Sequence, residues 1–461
     1  MTTINKTVAA ISTPPGKGGV SVIRISGDDA ISVAERVFFP RSKKAVRDLP
    51  SRYAAYGDIL YEGKVIDDGM LTIYRAPASY TGEDTAEICA HGGMLVTKKV
   101  LEACLLSGAV MAEAGDFTRR AYINGKITLS KAEAIGNLLE AKSTAQLTLA
   151  RGAADGRLSR EIERIYSEMT AISASVYALV DYPEEDLAEM SVSEMKDRLT
   201  KVRDSLSTLE RSYESARVIN EGIKTVICGS PNTGKSSLYN ALSGEDLAIV
   251  TDIEGTTRDT LTTQVVAGDI LLNISDTAGI RESTDTVERI GIERSRRALE
   301  DASLVLLTID GSRPLDDSDR ELVDEVGSLE GKCVIALINK SDLGTNAELE
   351  YIKSRIPHLI HISAKQKSGF DALSSLLQEL FLADEIDVDE GTFIQNARQH
   401  ASALGARAAV DDAITALESG MPADMAACDV ERAMALLCEI DGLSVGEDIT
   451  NEIFSKFCVG K

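Results

Sequence analysis

The sequence predicts a multidomain α/β protein. Three features predict it: apolar runs alternating with helix-like segments across residues 218–382, short strand-like segments before residue 120, and long helical stepping on either side of the alternating region. At 461 residues the chain exceeds what one core organises, so several domains are expected. Its 44% apolar and 26% charged content is that of a folded globular chain. No apolar run reaches membrane-spanning length, and Met1-Thr2-Thr3-Ile4-Asn5-Lys6 lacks a signal-peptide core, so a cytoplasmic location is expected. Seven cysteines without a Cys-x-x-Cys pair indicate neither disulfides nor a zinc knuckle.

The first module, residues 1–120, reads as α+β: strands at Val20–Ile25, Met70–Tyr74 and Ala86–Ala90, with a helix near Met94–Leu106. Residues 121–217 form the first part of a split α-helical domain. There Leu158, Ile162, Ile165, Met169, Ile172, Val176 and Leu179 step by fours and threes until Pro183 stops the run. Ser191-Val192-Ser193-Glu194 reads as a capping box for a second long helix carrying Met195, Leu199, Val202, Leu206 and Leu209. Residues 383–461 supply the second helical part: Ala-rich Gln395–Glu418, then Asp429–Glu439, then a last helix opened by Ser444-Val445-Gly446-Glu447. The simplest topology inserts 218–382 between two halves of one helical domain.

The inserted region carries the chemistry. Gly229-Ser230-Pro231-Asn232-Thr233-Gly234-Lys235-Ser236 follows an apolar run and precedes the helix-like Ser237-Leu238-Tyr239-Asn240, the context of a phosphate-binding P-loop. Backbone N–H groups and a helix N-terminus face the phosphates, Lys235 reaches the β/γ-phosphates and Ser236 is placed on Mg²⁺. Asp276-Thr277-Ala278-Gly279 ends a second apolar run, and Asn339-Lys340-Ser341-Asp342 a third. Asp342 can accept the N1–H and 2-amino hydrogens that adenine does not offer as a pair, so the nucleotide read is GTP. Ser363-Ala364-Lys365 adds a backbone contact to the base. The ordered set defines a Ras-like, doubly wound P-loop GTPase domain.

Ras-like switches orient the attacking water with a glutamine after Asp-x-x-Gly, where this chain has Ile280. The replacement has to come from Arg281–Glu293, whose carboxylates are Glu282, Asp285, Glu288 and Glu293; the motif leaves the choice open. Thr256 or Thr257, in the first switch, completes Mg²⁺ coordination. Asn232 either helps hold a monovalent cation beside the phosphates or only shapes the loop.

Net charge is −24, but residues 1–124 hold 15 Lys+Arg against 14 Asp+Glu, so the excess lies downstream. So acidic a body is a poor non-specific binder of nucleic acid, and any RNA contact falls mainly to a partner. Arg41-Ser42-Lys43-Lys44 with Arg47 reads as a solvated loop.

From end to end the chain resembles the MnmE (TrmE) family of tRNA-modifying GTPases. The residues carrying the resemblance are Thr13-Pro14-Pro15-Gly16-Lys17-Gly18-Gly19-Val20 with Arg24-Ile25-Ser26-Gly27, Ser79-Tyr80-Thr81-Gly82-Glu83-Asp84, His91-Gly92-Gly93 and Gly115-Asp116-Phe117-Thr118. Further along stand Ala132-Glu133-Ala134-Ile135, Asp181-Tyr182-Pro183-Glu184-Glu185, Val250–Asp259 and the terminal Phe457-Cys458-Val459-Gly460-Lys461. Departures are mild: Tyr182, Thr233 and Glu254 stand where the family often has Phe, Ala and Ala.

The resemblance implies an N-terminal domain that binds 5-formyl-tetrahydrofolate and forms a homodimer, and GTPase domains that pair with K⁺ bound. It also implies the FAD protein MnmG as partner in a heterotetramer that puts an aminomethyl or carboxymethylaminomethyl group on C5 of the wobble uridine of certain tRNAs. Carried over residue by residue, K⁺ falls to Asn232, Thr251, the Ile253 carbonyl and Thr256, Mg²⁺ to Ser236 and Thr257, and the water-orienting role to Glu288. Folate contacts fall to Arg24, Glu87, Lys126 and Lys461. From composition alone Arg24 reads as a structural ion-pair residue. Cys458 reads either as a reactive thiol or as a small apolar helix-end residue, and the family favours the first. The alternative function is a ribosome-assembly-type regulatory GTPase switch, which would need neither the N-terminal module nor Cys458.

Overall fold

In a computed structural model of the chain, the described residues are 5–181, 190–242, 262–275, 299–382, 391–443 and 446–460. They fall into two compact units, one drawn from residues 1–136, 162–173 and 427–461, the other from 137–161 and 174–426.

The first unit is built on seven strands: β1 (Val8–Ile11), β2 (Val20–Ser26), β3 (Phe38–Pro40), β4 (Ala54–Tyr61), β5 (Lys64–Tyr74), β6 (Thr85–His91) and β7 (Val110–Met111). Their order is β3-β4-β5-β6-β2-β1-β7, antiparallel except where β7 runs parallel to β1. Strand alternation decides which face does what. Ile23, Ile25, Ile59, Leu71, Ile73 and Ile88 form the core with helices Ala30–Val37 and Met94–Leu106. Each such side chain contributes about 1.5–3 kcal/mol of burial before entropy is subtracted. Arg24, between Ile23 and Ile25, therefore projects from the opposite face. β1, β3, β4 and β7 were not foreseen: β3 and β7 are only three and two residues long, too short for a periodicity to register.

The last helix, Glu447–Ser455, packs Phe454 with Leu129 and Ala132 in a separate small cluster. Its N-cap is Gly446, which has no side chain to cap with, so the box expected from Ser444 is not what starts this helix; Ser444 itself lies outside the described residues.

The second unit holds the other sheet: β8 (Ile223–Cys228), β9 (Thr262–Ala267), β10 (Ile270–Ser275), β11 (Leu304–Asp310), β12 (Cys333–Asn339) and β13 (His358–His361), in the order β13-β12-β11-β8-β10-β9. Only the β9–β10 pair is antiparallel. Every residue of β11 is buried. Leu304 and Leu306 join one core while Val305, Leu307 and Ile309 join another, the two-faced burial that makes central parallel strands read as unbroken apolar runs.

Helices Arg157–Asp181 and Val192–Glu221 bury the positions their periodicity predicts, among them Ile165, Met169, Leu199 and Leu206. Ser191 caps the second by accepting from the Glu194 N–H at 3.3 Å. Helix Ala397–Glu418 lies along Val192–Glu221, with His400 stacked on Tyr213 at 4.3 Å and Arg407 paired to Glu210 at 2.6 Å. Among the described residues no helix is long and apolar enough to cross a membrane.

Candidate functional site

Parallel register brings the carboxyl ends of β8, β11, β12 and β13 together, the edge where open α/β sheets bind ligands. From β8 the chain turns through Gly229–Gly234 into helix Lys235–Leu242. The turn admits no side chain at its glycines. A Cβ on Gly229 would sit 2.4 Å from the Thr308 carbonyl, and one on Gly234, at φ +97°, 2.2 Å from Asn339 Nδ2. Asn232 holds a left-handed φ of +63°, and the buried Thr233 hydroxyl donates to the Ser230 carbonyl at 2.9 Å. Ser236 and Ser237 stand exposed in the first turn of the helix.

Lys235 folds back over this turn, donating to the Gly229 and Ser230 carbonyls at 2.8 and 2.9 Å. Burial pushes its amine below the usual lysine range.

Asn339 is the keystone on the base side. Its Nδ2 donates to the Thr233 carbonyl at 2.8 Å and its Oδ1 accepts from the Ala364 N–H at 3.0 Å, joining the P-loop to Ser363-Ala364-Lys365. The Ser363 hydroxyl donates to Asp342 Oδ1 at 2.7 Å and fixes that carboxylate. Lys340, at φ +60°, reaches Asp310 Oδ2 at 2.6 Å. Burial raises the Asp310 pKa, but hydrogen bonds from Lys340 and Ser312 outweigh it and hold the group below the usual carboxylate range. Asp310 was not foreseen; the signal was an acid closing the apolar run Leu304–Ile309, opposite Asn339 in register. Thr251, Ile253, Thr256, Thr257, Asp276, Thr277, Ala278, Gly279, Ile280, Glu282, Asp285, Glu288, Glu293 and Lys461 lie outside the described residues.

The first unit holds a second constellation. Arg24 and Glu87 sit directly opposite on β2 and β6 and pair at 2.8 Å, both side chains largely shielded. Arg24 lies 5.8 Å from the Tyr80 ring and 5.5 Å from the Phe117 ring, and the Tyr74 hydroxyl donates to Glu87 at 3.4 Å. Burial raises the pKa of both tyrosines, so they stay neutral. Lys126 donates to the Pro77 carbonyl at 3.0 Å, and its stem would lie 3.3 Å from a Cβ on Gly82. The structure thus brings Arg24 and Glu87 together and sets Lys126 on the loop that carries Tyr80.

That loop is shaped by Arg120, which sequence reasoning passed over. Its guanidinium, 2% exposed, grips Glu83 through both oxygens at 2.8 and 3.0 Å, Asp116 at 3.4 Å and the Lys6 carbonyl at 2.9 Å. Glu83 in turn accepts from Ser26 at 2.9 Å. In the tail, Val459 bridges to Ala114, the Cys458 carbonyl accepts from the Gly115 N–H at 3.4 Å and the Gly460 carbonyl from the Ser12 hydroxyl at 2.9 Å. Cys458 is exposed, whereas burial pushes the Cys104 and Cys228 thiols up to about 12.

Against known proteins, a model of the GTP-binding protein TrmE N-terminus matches residues 7–126, and a model of the MnmE helical domain matches residues 129–458. The tRNA modification GTPase MnmE of Acetivibrio thermocellus is 41% identical over 459 residues, 99% of each chain. The chain belongs to the MnmE family. Family members of the same name from Geobacillus thermodenitrificans and Clostridioides difficile are 39% identical over 460 residues, with 99% of this chain covered in both and 99% and 100% of theirs. The N-terminal model takes in Arg24, Glu87 and Lys126, and the helical model runs through the P-loop, so both constellations lie inside matched MnmE-family segments.

Proposed function

We propose that this chain hydrolyses GTP as part of tRNA modification. The observation that carries the reading is the pre-formed phosphate cradle: two glycines with no room for a Cβ, and a half-buried Lys235 held by loop carbonyls alone among the described residues. Lys235 exchanges those carbonyls for β/γ-phosphate oxygens, while loop N–H groups hold the phosphate chain in line for attack. Asp342, its carboxylate fixed by Ser363, accepts two hydrogens from guanine, and Asn339 ties base and phosphate ends into one frame. Glu288 orients the attacking water where Ile280 cannot.

The hydroxyl of Ser236 and the side-chain amide of Asn232 are hard oxygen donors, a chemistry suited to Mg²⁺ and K⁺. With Thr257, Ser236 would hold Mg²⁺; with Thr251, the Ile253 carbonyl and Thr256, Asn232 would hold K⁺. When bound, the ions offset negative charge on the transferred phosphoryl group.

The Arg24 constellation suits a flat, polar ring with an anionic tail: aromatic walls, a carboxylate able to accept paired donors, and a guanidinium for the anion. On this reading Arg24, Glu87, Lys126 and Lys461 hold 5-formyl-tetrahydrofolate, which supplies a one-carbon unit when bound. The exposed Cys458 thiol stands ready as a nucleophile, its partner in the chemistry left open. As a homodimer, and with the FAD protein MnmG, the chain adds an aminomethyl or carboxymethylaminomethyl group to C5 of the wobble uridine, MnmG giving the acidic body much of its tRNA contact.

Steady-state GTP hydrolysis in matched K⁺ and Na⁺ buffers tests the catalytic half. The expected result is a rate that rises steeply in K⁺ and falls strongly in Glu288→Ala with GTP binding retained; equal rates in the two salts would remove the cation from the mechanism. Normal wobble uridines in cells lacking the protein would sink the tRNA reading in favour of a regulatory switch.

A further inference from the structure

Arg119 is nine-tenths buried, and among the described residues it has neither a hydrogen-bond nor an ion-pair partner for its side chain; its Nε is sealed from solvent altogether. A donor sealed from solvent without a partner is costly, so proteins retain one where something pairs with it. Arg119 lines a cavity of about 370 Å³ in the first unit, with Glu113, Asp116, Asn451, Phe454 and Ser455. The cavity lies at the start of helix Asp116–Ile123 and against the last helix, Glu447–Ser455.

The two carboxylates do not answer the charge. Asp116 is committed to Arg120 at 3.4 Å and to the Glu113 N–H at 3.4 Å. Glu113 is exposed, so water and salt screen it, and it forms no ion pair with Arg119. The remaining wall offers the Asn451 amide and the Phe454 ring, the Ser455 hydroxyl being committed to the Glu452 carbonyl at 2.7 Å. The cavity exceeds what a bare ion fills and falls at the lower end of small-molecule sites.

We propose that this cavity is a binding site for the oxyanion end, carboxylate or phosphate, of a small ligand, with Arg119 as its anchor and the Asn451 amide as flanking donor. The exposed Glu113 carboxylate in its lining disfavours polyanions and selects a ligand that presents one anionic group inward. Phe454 and Ser455 precede Cys458 by four and three residues, so the occupant sits against the segment that carries the exposed thiol. The site is separate from the Arg24–Glu87 pair and does not depend on the nucleotide reading.

The test uses the full chain labelled with ¹⁵N-arginine, titrated at constant ionic strength with sodium acetate in one arm and inorganic phosphate in the other, against sodium chloride. The expected result is a saturable shift of the buried Arg119 Nε–H resonance together with the neighbouring Arg120 Nε–H; the Arg120 signal, which both variants keep, should no longer respond in Arg119→Gln and should need about tenfold or more ligand in Arg119→Lys. The arm that saturates at lower concentration identifies the carboxylate or the phosphate source. Should Arg119→Gln fold poorly, the wild-type titration and Arg119→Lys still decide. A linear response in both arms, or equal responses in wild type and variants, would overturn the proposal.

Discussion

On the proposed reading, the two constellations recognise their ligands by different means. At the P-loop much of the work falls to backbone: glycines let its N–H groups turn toward a phosphate, and neighbouring strands crowd it so closely that a single methyl does not fit. The Arg24 face works through side chains, drawn from β2, β6, the loop at Ser79–Asp84 and helix Asp116–Ile123, and locked in place by the buried Arg120. The P-loop is thus sensitive to what is added at its glycines as well as to loss of Lys235, the Arg24 face to what is taken away.

The largest effect is therefore expected from Arg120→Ala. It strands Glu83 and Asp116 as buried carboxylates without their cation, a loss of about 3–5 kcal/mol. Hydrogen exchange should show lost protection at residues 79–84 and 116–123 with the P-loop unit unaffected; protection lost equally in both units would erase the contrast. Next, Gly234→Ala adds a Cβ 2.2 Å from Asn339 Nδ2 at a left-handed φ. Strain of about 1–3 kcal/mol should weaken GTP binding by roughly 5- to 150-fold in a fluorescent-nucleotide titration while leaving folate binding intact. An unchanged nucleotide affinity would mean the loop opens on binding.

These same differences decided how much was legible beforehand. The nucleotide site draws on contiguous residues, so Gly229–Ser236 and Asn339–Asp342 announced it directly. β11 and β12 were equally plain, because burial on both faces leaves unbroken apolar runs. Arg24 and Glu87 are 63 residues apart and carry no local signature, so only the family resemblance singled them out. Arg120 and Asp310 were missed for a related reason: their roles exist only after the fold pairs them with Glu83 and Lys340.

A smaller effect separates exposed from buried thiols. A brief iodoacetamide pulse should label the exposed Cys458 and Cys428, while Cys104 and Cys228, pushed up to about 12 by burial, stay unreacted in the folded chain. Labelling of Cys104 ahead of Cys458 would contradict the placement of the tail.

The most direct measurement is a paired titration of GTP and 5-formyl-tetrahydrofolate onto the wild-type chain, Lys235→Ala and Arg24→Gln by calorimetry. Two independent sites predict that Lys235→Ala loses GTP and keeps the folate, and that Arg24→Gln does the reverse. Loss of both ligands from either variant, or of neither from both, would contradict a chain built around two separate ligand sites.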